Sequence, residues 1–168
     1  MFGPVLTLSG ILVLAVGVLA AGFVVGMRTK SPLVVRPIVG FCKRWMNPLQ
    51  LRTAGTPGAY AGIIRHRGRT SGRAYETPVG VVATDDRFLI GLPYGTQTQW
   101  VRNVLAAGSA TLVTEGRTWA VDGAELVPTS EVIDAFGPSD RRMFRLLQTD
   151  RCLRLRRVGE AQVSPRAA

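Results

Sequence analysis

No charged residue occurs in residues 2–27, and residues 6–25 alone supply the roughly 20 apolar residues needed to cross about 30 Å of hydrocarbon. A stretch of this kind constrains the fold more than anything after it, because it must be buried in lipid, buried in protein or removed. A cleaved signal peptide opens with a basic region and ends its shorter apolar core in small residues. Here only the amino terminus precedes the core, and the core runs long. The pattern predicts an uncleaved transmembrane anchor; a cleaved leader and a buried helix are the alternatives. Arg28, Lys30, Arg36, Lys43 and Arg44 follow at once. By the positive-inside rule they put a single-pass protein in the cell membrane with its carboxyl-terminal domain in the cytoplasm, and the same cations suit contact with membrane lipids.

What remains of the 168 residues suffices for one compact domain. Pro32, Pro37, Pro48 and Pro57 interrupt residues 28–58, which read as a basic juxtamembrane linker with helix in short pieces and then a loop. Trp45 and its basic neighbours fit the water-facing border of a bilayer or a face packed on the domain. Residues 59–160 read as the domain and 161–168 as a disordered tail. Charge is uneven: all eleven acids lie at or beyond Glu76, so the first 75 residues carry the excess behind the net +10. That asymmetry predicts an anionic partner, a phosphate ligand or an acidic lipid surface. Nucleic acid is not expected, because no aromatic-interleaved RNA motif accompanies the charge.

Metal chemistry is not expected either. Cys42 and Cys152 stand alone, without CxxC or Cys/His clustering, and His66 is the single histidine. Arginines flank His66 and disfavour its protonated form, so it reads as a loop or strand-end residue and not as a general base.

From Tyr60 the texture changes to short runs rich in β-branched and aromatic residues: YAGIIRH, AYETPVGVVATD, RFLIGLPYG, ATLVTEG, TWAVDGAELV and CLRLRRV. Asp85-Asp86 and Gly116-Arg117 predict tight antiparallel hairpins. Between the third and fourth runs, TQTQWVRNVLAAG predicts a helix capped by Thr98, with Trp100, Val101, Val104 and Leu105 on one face and Gly108 ending it. A second amphipathic helix is expected around Val132, Ile133 and Phe136, then Met143, Leu146 and Leu147. Six strands and two helices fit an α+β protein built on a small antiparallel barrel.

One stretch is poor core material. RHRGRTSGR, residues 65–73, places four arginines and two glycines in a hairpin loop between the first two strands. Gly68 and Gly72 free the backbone to expose N–H groups, Thr70 and Ser71 add hydroxyls, and Arg69 and Arg73 add charge. These are the parts of a phosphate cradle, although a solvated basic turn has the same composition. It is not a P-loop, since the GKS/T ending is missing and no helix opens from it.

In order along the chain, GRTSGRAYETPVGVV, RFLIGLPYGTQTQWVRNVLAAGSATL and GRTWAVDGAELV resemble the deazaflavin-dependent nitroreductase family, oxidoreductases that use coenzyme F420. The likeness covers roughly residues 60–128. The family's Gly-Arg-x-Ser-Gly loop is matched by Gly68, Arg69, Thr70, Ser71 and Gly72. Pro78 matches too, as do Gly95, Trp100 and Asn103 after the third strand.

The resemblance implies a flavin-reductase-like split β-barrel, a fold whose barrels commonly pair, so a homodimer is open to this chain. It implies that Arg69, Thr70, Ser71, Gly72 and Arg73 hold the phosphate and acidic tail of F420. Pro78, Val79, Pro93, Tyr94 and Gly95 would border its flat ring, with Trp100 packed against the Pro93 turn and Asn103 fixing it. The same loop would serve flavin mononucleotide (FMN), the alternative cofactor. The proton would come from solvent or from a nearby phenol such as Tyr94. Nitroreductases of the family carry several tyrosines near their carboxyl end, and this chain has none after Tyr94, so a small lipophilic acceptor such as a quinone is expected over a nitroimidazole. A noncatalytic carrier of cofactor or lipid is the other class that these features fit.

Overall fold

The computed structural model describes residues 3–161, with side-chain surroundings from residue 10 onward. The expected tail falls outside these residues from position 162. Helix α1 (Gly3–Arg28) is long and apolar enough to cross a membrane, and within residues 10–28 its mean hydropathy is 2.5 with little of it buried. Among its described side chains, those of its last turn meet the rest of the protein. Met27 is buried, and Val34 lies so close to Gly26 that a β-carbon there would collide with it.

Three residues later the chain re-enters helix as α2 (Pro32–Phe41), a π-helical turn (Cys42–Met46) and α3 (Asn47–Gln50). The prolines predicted short pieces; the pieces are instead joined end to end, without a break from residue 32 to residue 50. Pro32 occupies the first turn, where its missing N–H costs nothing. The wider π turn ends two residues before Pro48 and bonds the Asn47 N–H to the Cys42 carbonyl, a local rewinding that makes room for a proline ring.

Six antiparallel strands follow: β1 (Ala61–Arg67), β2 (Ala74–Ala83), β3 (Arg87–Gly91), β4 (Ser109–Thr114), β5 (Arg117–Pro128) and β6 (Arg151–Glu160). They close a barrel in the order β1-β2-β3-β6-β5-β4, so the fold is the small α+β barrel that the strand runs predict. Asp85-Asp86 forms the β2–β3 hairpin as expected, with the Thr84 N–H bonded to the Arg87 carbonyl. The β4–β5 turn sits one residue earlier than expected, at Glu115-Gly116. Both residues have positive φ (52° and 70°), as a two-residue hairpin matched to strand twist requires.

Ile64, Phe88, Ile90, Leu112, Leu153 and Leu155, each nearly or fully buried, fill the barrel. Helix α4 (Gln99–Ala107) plugs one end with Val101 and Val104, while Trp100 and Leu105 pack beside them. The expected second helix divides into α5 (Thr129–Val132), a 3-10 turn (Ile133–Ala135) and α6 (Pro138–Leu147). Gly137 and Pro138 end one piece and start the next. Leu146, expected on the apolar face, is exposed; Phe144 takes that place and stacks edge-on against Phe136 at 4.9 Å.

The wall is uneven. Strand β2 pairs with β1 along residues 74–80, yet it meets β3 only through Val81, Val82 and Ala83. Beyond Gly91 the chain leaves the sheet, so the first half of β2 lacks a β3 partner. Pro78, which has no N–H to give a ladder, lies in this unpaired half.

Candidate functional site

The opening left by β3 is a cavity of about 380 Å³, within the size range of ligand pockets. Five segments line it. The loop after β1 contributes Arg69, Thr70 and Ser71; β2 contributes Thr77, Pro78 and Val79; the turn after β3 contributes Pro93, Tyr94 and Gly95. Helix α4 and its approach bring Thr98, Gln99, Trp100 and Asn103, and Val39, Cys42, Lys43 and Asn47 of the helical segment before the barrel form a further wall.

The loop holds its shape through its own backbone. The Gly68 N–H donates to the Arg73 carbonyl at 2.8 Å, and the Gly72 N–H to the Gly68 carbonyl at 2.8 Å, with Gly72 at φ 66°. A β-carbon on Gly68 would stand 2.5 Å from the Ser71 hydroxyl, which would have to turn away to admit a larger residue. Arg69 then folds toward α4. Its Nη1 donates to Gln99 Oε1 at 2.8 Å and to Asn103 Oδ1 at 3.0 Å, and its backbone N–H donates to the same Oδ1 at 3.2 Å. Among the described residues no carboxylate pairs with it.

Asn103 is the hinge of this arrangement. With Oδ1 occupied by Arg69, its Nδ2 donates to His66 Nδ1 at 3.3 Å. That bond requires an unprotonated Nδ1, which leaves the proton on Nε2, 3.3 Å from Thr77 Oγ1. Burial pushes the His66 pKa down, in keeping with a neutral ring. Its place near the end of β1 is as expected; its burial, its stacking on Tyr75 at 5.7 Å and its support of Asn103 are not.

Thr98 departs from its expected role. It occupies the N-cap position of α4 but makes no side-chain cap bond, and its Oγ1 is buried without a hydrogen-bond partner. The first turn of α4 therefore keeps uncapped N–H groups beside an orphan hydroxyl, both at the cavity wall. An anion or polar group bound there would answer both.

On the opposite side the Gly95 N–H donates to the Leu92 carbonyl, closing a turn with Pro93 and Tyr94 at its centre. Lys30 supports it from outside the barrel: Nζ donates to the Pro93 carbonyl at 2.9 Å and the Leu147 carbonyl at 2.8 Å. Tyr94 Oη lies 3.9 Å from Cys42 Sγ, and burial first, then the neighbouring thiol, push the phenol pKa up to about 12. Such a phenol stays protonated and serves as a hydrogen-bond donor.

Gly72 and Arg73 do not line the cavity; the backbone bonds that close the base of the loop leave both exposed. Trp100 lines it while packing on the barrel core. The sequence reasoning missed His66, Gln99 and the whole helical wall. Gln99 carried a signal, four residues before Asn103 on one helix face. The wall carried one as well, since residues 39, 43 and 47 recur at helical spacing.

No known protein-family model matches the chain, and no curated protein does. Solved structures do. An F420 reductase is 13% identical over 66% of this chain and 94% of its own, with a TM-score of 0.41. An F420-H2 dependent reductase is 12% identical over 57% of this chain and 93% of its own, at 0.38. An FMN-binding protein from Syntrophomonas wolfei subsp. wolfei is 14% identical over 78% and 97%, at 0.39. At these values the likeness does not reach cofactor or substrate.

Proposed function

We propose that this protein is a membrane-anchored oxidoreductase whose barrel cavity takes the deazaflavin F420, with FMN as the alternative cofactor, and which reduces a small lipophilic acceptor such as a quinone. The observation that carries this reading is a ring-sized cavity bordered by an arginine that has no carboxylate partner among the described residues, by uncapped helix N–H groups and by an orphan threonine hydroxyl. That donor set fits a phosphate or carboxylate group. The apolar part of the lining, with Pro78, Val79, Pro93, Trp100 and Val39, fits a flat ring.

Arg69 grips the anionic end through its free N–H groups, since a guanidinium stays charged and offers a planar fork. Thr70 and Ser71 add hydroxyl donors at the loop's crest. Gly72 shapes the loop, and Arg73 adds positive potential from its exposed position. Asn103 and Gln99 hold the Arg69 side chain in place through amide oxygens, which orient it without neutralising it. When bound in reduced form, the cofactor supplies a hydride. Tyr94, kept protonated, donates a hydrogen bond toward an acceptor oxygen, and the proton that completes the reduction comes from solvent. The helical wall and Pro93 keep the ring site dry. Residues 10–28 of α1 hold the domain at a membrane, with the barrel on the cytoplasmic side by the charge that follows the helix.

Titration of the purified full chain with F420 and with FMN, followed by fluorescence, tests the assignment. Saturable F420 binding supports it. Tight FMN binding with no F420 response moves the protein to the FMN class, and binding of neither removes the redox reading. Reduced F420 with a menaquinone analogue then tests turnover. Binding without oxidation above the uncatalysed rate, across several quinones, leaves a carrier.

A further inference from the structure

The helical segment from residue 32 to residue 50 has two faces. Val39, Cys42 and Asn47 look into the cavity. On the other side Leu33, Phe41, Trp45 and Leu49 are 87%, 58%, 61% and 59% exposed, and exposed Pro37 completes a stripe at every fourth residue. In a plain α-helix such a stripe drifts around the axis; the slower-winding π turn at Cys42–Met46 carries it back. A contiguous apolar stripe of this length marks an interaction surface.

Its surroundings say what covers it. Arg36, Arg44 and Arg52 flank the stripe, and no acidic residue precedes Glu76, so the segment is complementary to negative charge. Trp45, with the Arg44 guanidinium 5.7 Å from its ring, combines an indole and a cation as bilayer borders do. Distance agrees. Only residues 29–31 separate α2 from the end of α1, at most about 11 Å of extended chain. The stripe therefore begins at the level where α1 leaves hydrocarbon.

We propose that the Leu33, Phe41, Trp45 and Leu49 face lies on an anionic bilayer surface, so that the helical wall of the cavity is also a membrane contact of the protein. The apolar side chains sink among the acyl chain ends while the flanking cations reach the headgroups. A lipid-dissolved molecule then meets the cavity across one helix. That consequence for substrates rests on the redox reading; the lipid contact itself does not.

The test reads contact and involves no turnover or cofactor. The full chain is reconstituted in phosphatidylcholine vesicles containing phosphatidylglycerol, with acyl chains brominated close to the carbonyl. The emission of Trp45 is taken as the difference between wild type and Trp45→Phe, which alters an exposed residue. About half of that emission is expected to be lost to the brominated lipid, and about two-fold less when phosphatidylglycerol is omitted. A spin label on Leu49→Cys should report the same depth without relying on tryptophan. Emission quenched by aqueous iodide and untouched by brominated lipid overturns the proposal, as does equal quenching without the anionic lipid. So does shielding of Trp45 accompanied by Phe41→Cys cross-linking between two chains, which would assign the stripe to a second copy.

Discussion

Arginine does different work on the barrel's outer wall and at its opening. Along the wall it meets carboxylate: Arg154 pairs with Glu125 at 2.6 Å and Arg156 with Asp122 at 2.8 Å. At the opening the Arg69 side chain meets, among the described residues, the amide oxygens of Gln99 and Asn103. The wall pairs are largely in water, where solvent and salt weaken the attraction and the pairs contribute little to stability. Amide oxygens direct the Arg69 guanidinium and leave its full charge for something else. Local composition does not separate the two kinds of arginine; their partners do.

The comparison is most exposed at Arg69 itself. Arg69→Gln combined with Ser71→Ala should weaken F420 binding by about 10- to 100-fold at fixed salt, as expected for lost charge-assisted hydrogen bonds, with little change in melting temperature. Unchanged affinity would break the comparison at its centre. Asn103→Ala comes next. It should lower affinity by about 10-fold through a misdirected Arg69 and lower folding stability by about 1–3 kcal/mol in denaturant titration, because the buried His66 Nδ1 loses its donor. This joint loss separates a positioning residue from one that only binds.

A smaller effect follows from His66. Its folded pKa lies below the ordinary 6.5, so in the window between the two values the unfolded chain binds more protons. Stability should therefore fall as pH drops through 6.5 toward the folded value, and be flat for this group above 6.5. Melts across that range should show the slope in wild type and lose it in His66→Gln. Smallest of all, Arg156→Gln removes a wall pair in open solvent. Cofactor affinity and melting temperature should both match wild type, and a drop in affinity would mean that wall charge also reaches the ligand.

Much of this was legible before any coordinates. Strand runs and turn residues foretold the six-stranded barrel, since alternation and hairpin chemistry are local. Arg69, Ser71, Pro78, Tyr94, Trp100 and Asn103 are all marked by the sequence, and they converge on one cavity. Thr98 was read as a cap because threonine before a helix commonly caps. Its hydroxyl instead remains unpartnered in the cavity wall, which only the surrounding packing decides. Arg73 was grouped with Arg69 because the two look alike in a nine-residue string.

By itself the sequence determined the apolar leader, the one-sided charge, the barrel strands and the glycine-arginine loop, each set by residues near one another in the chain. Tertiary structure alone decided that β3 stops short and opens the wall, that His66 steadies Asn103 from 37 positions away, and that a basic linker becomes a wall of the cavity. The physical reason is the same in each case. Periodicity and turn chemistry act over a few residues, whereas hydrogen-bond partners and cavities are made by segments that meet only when the barrel closes.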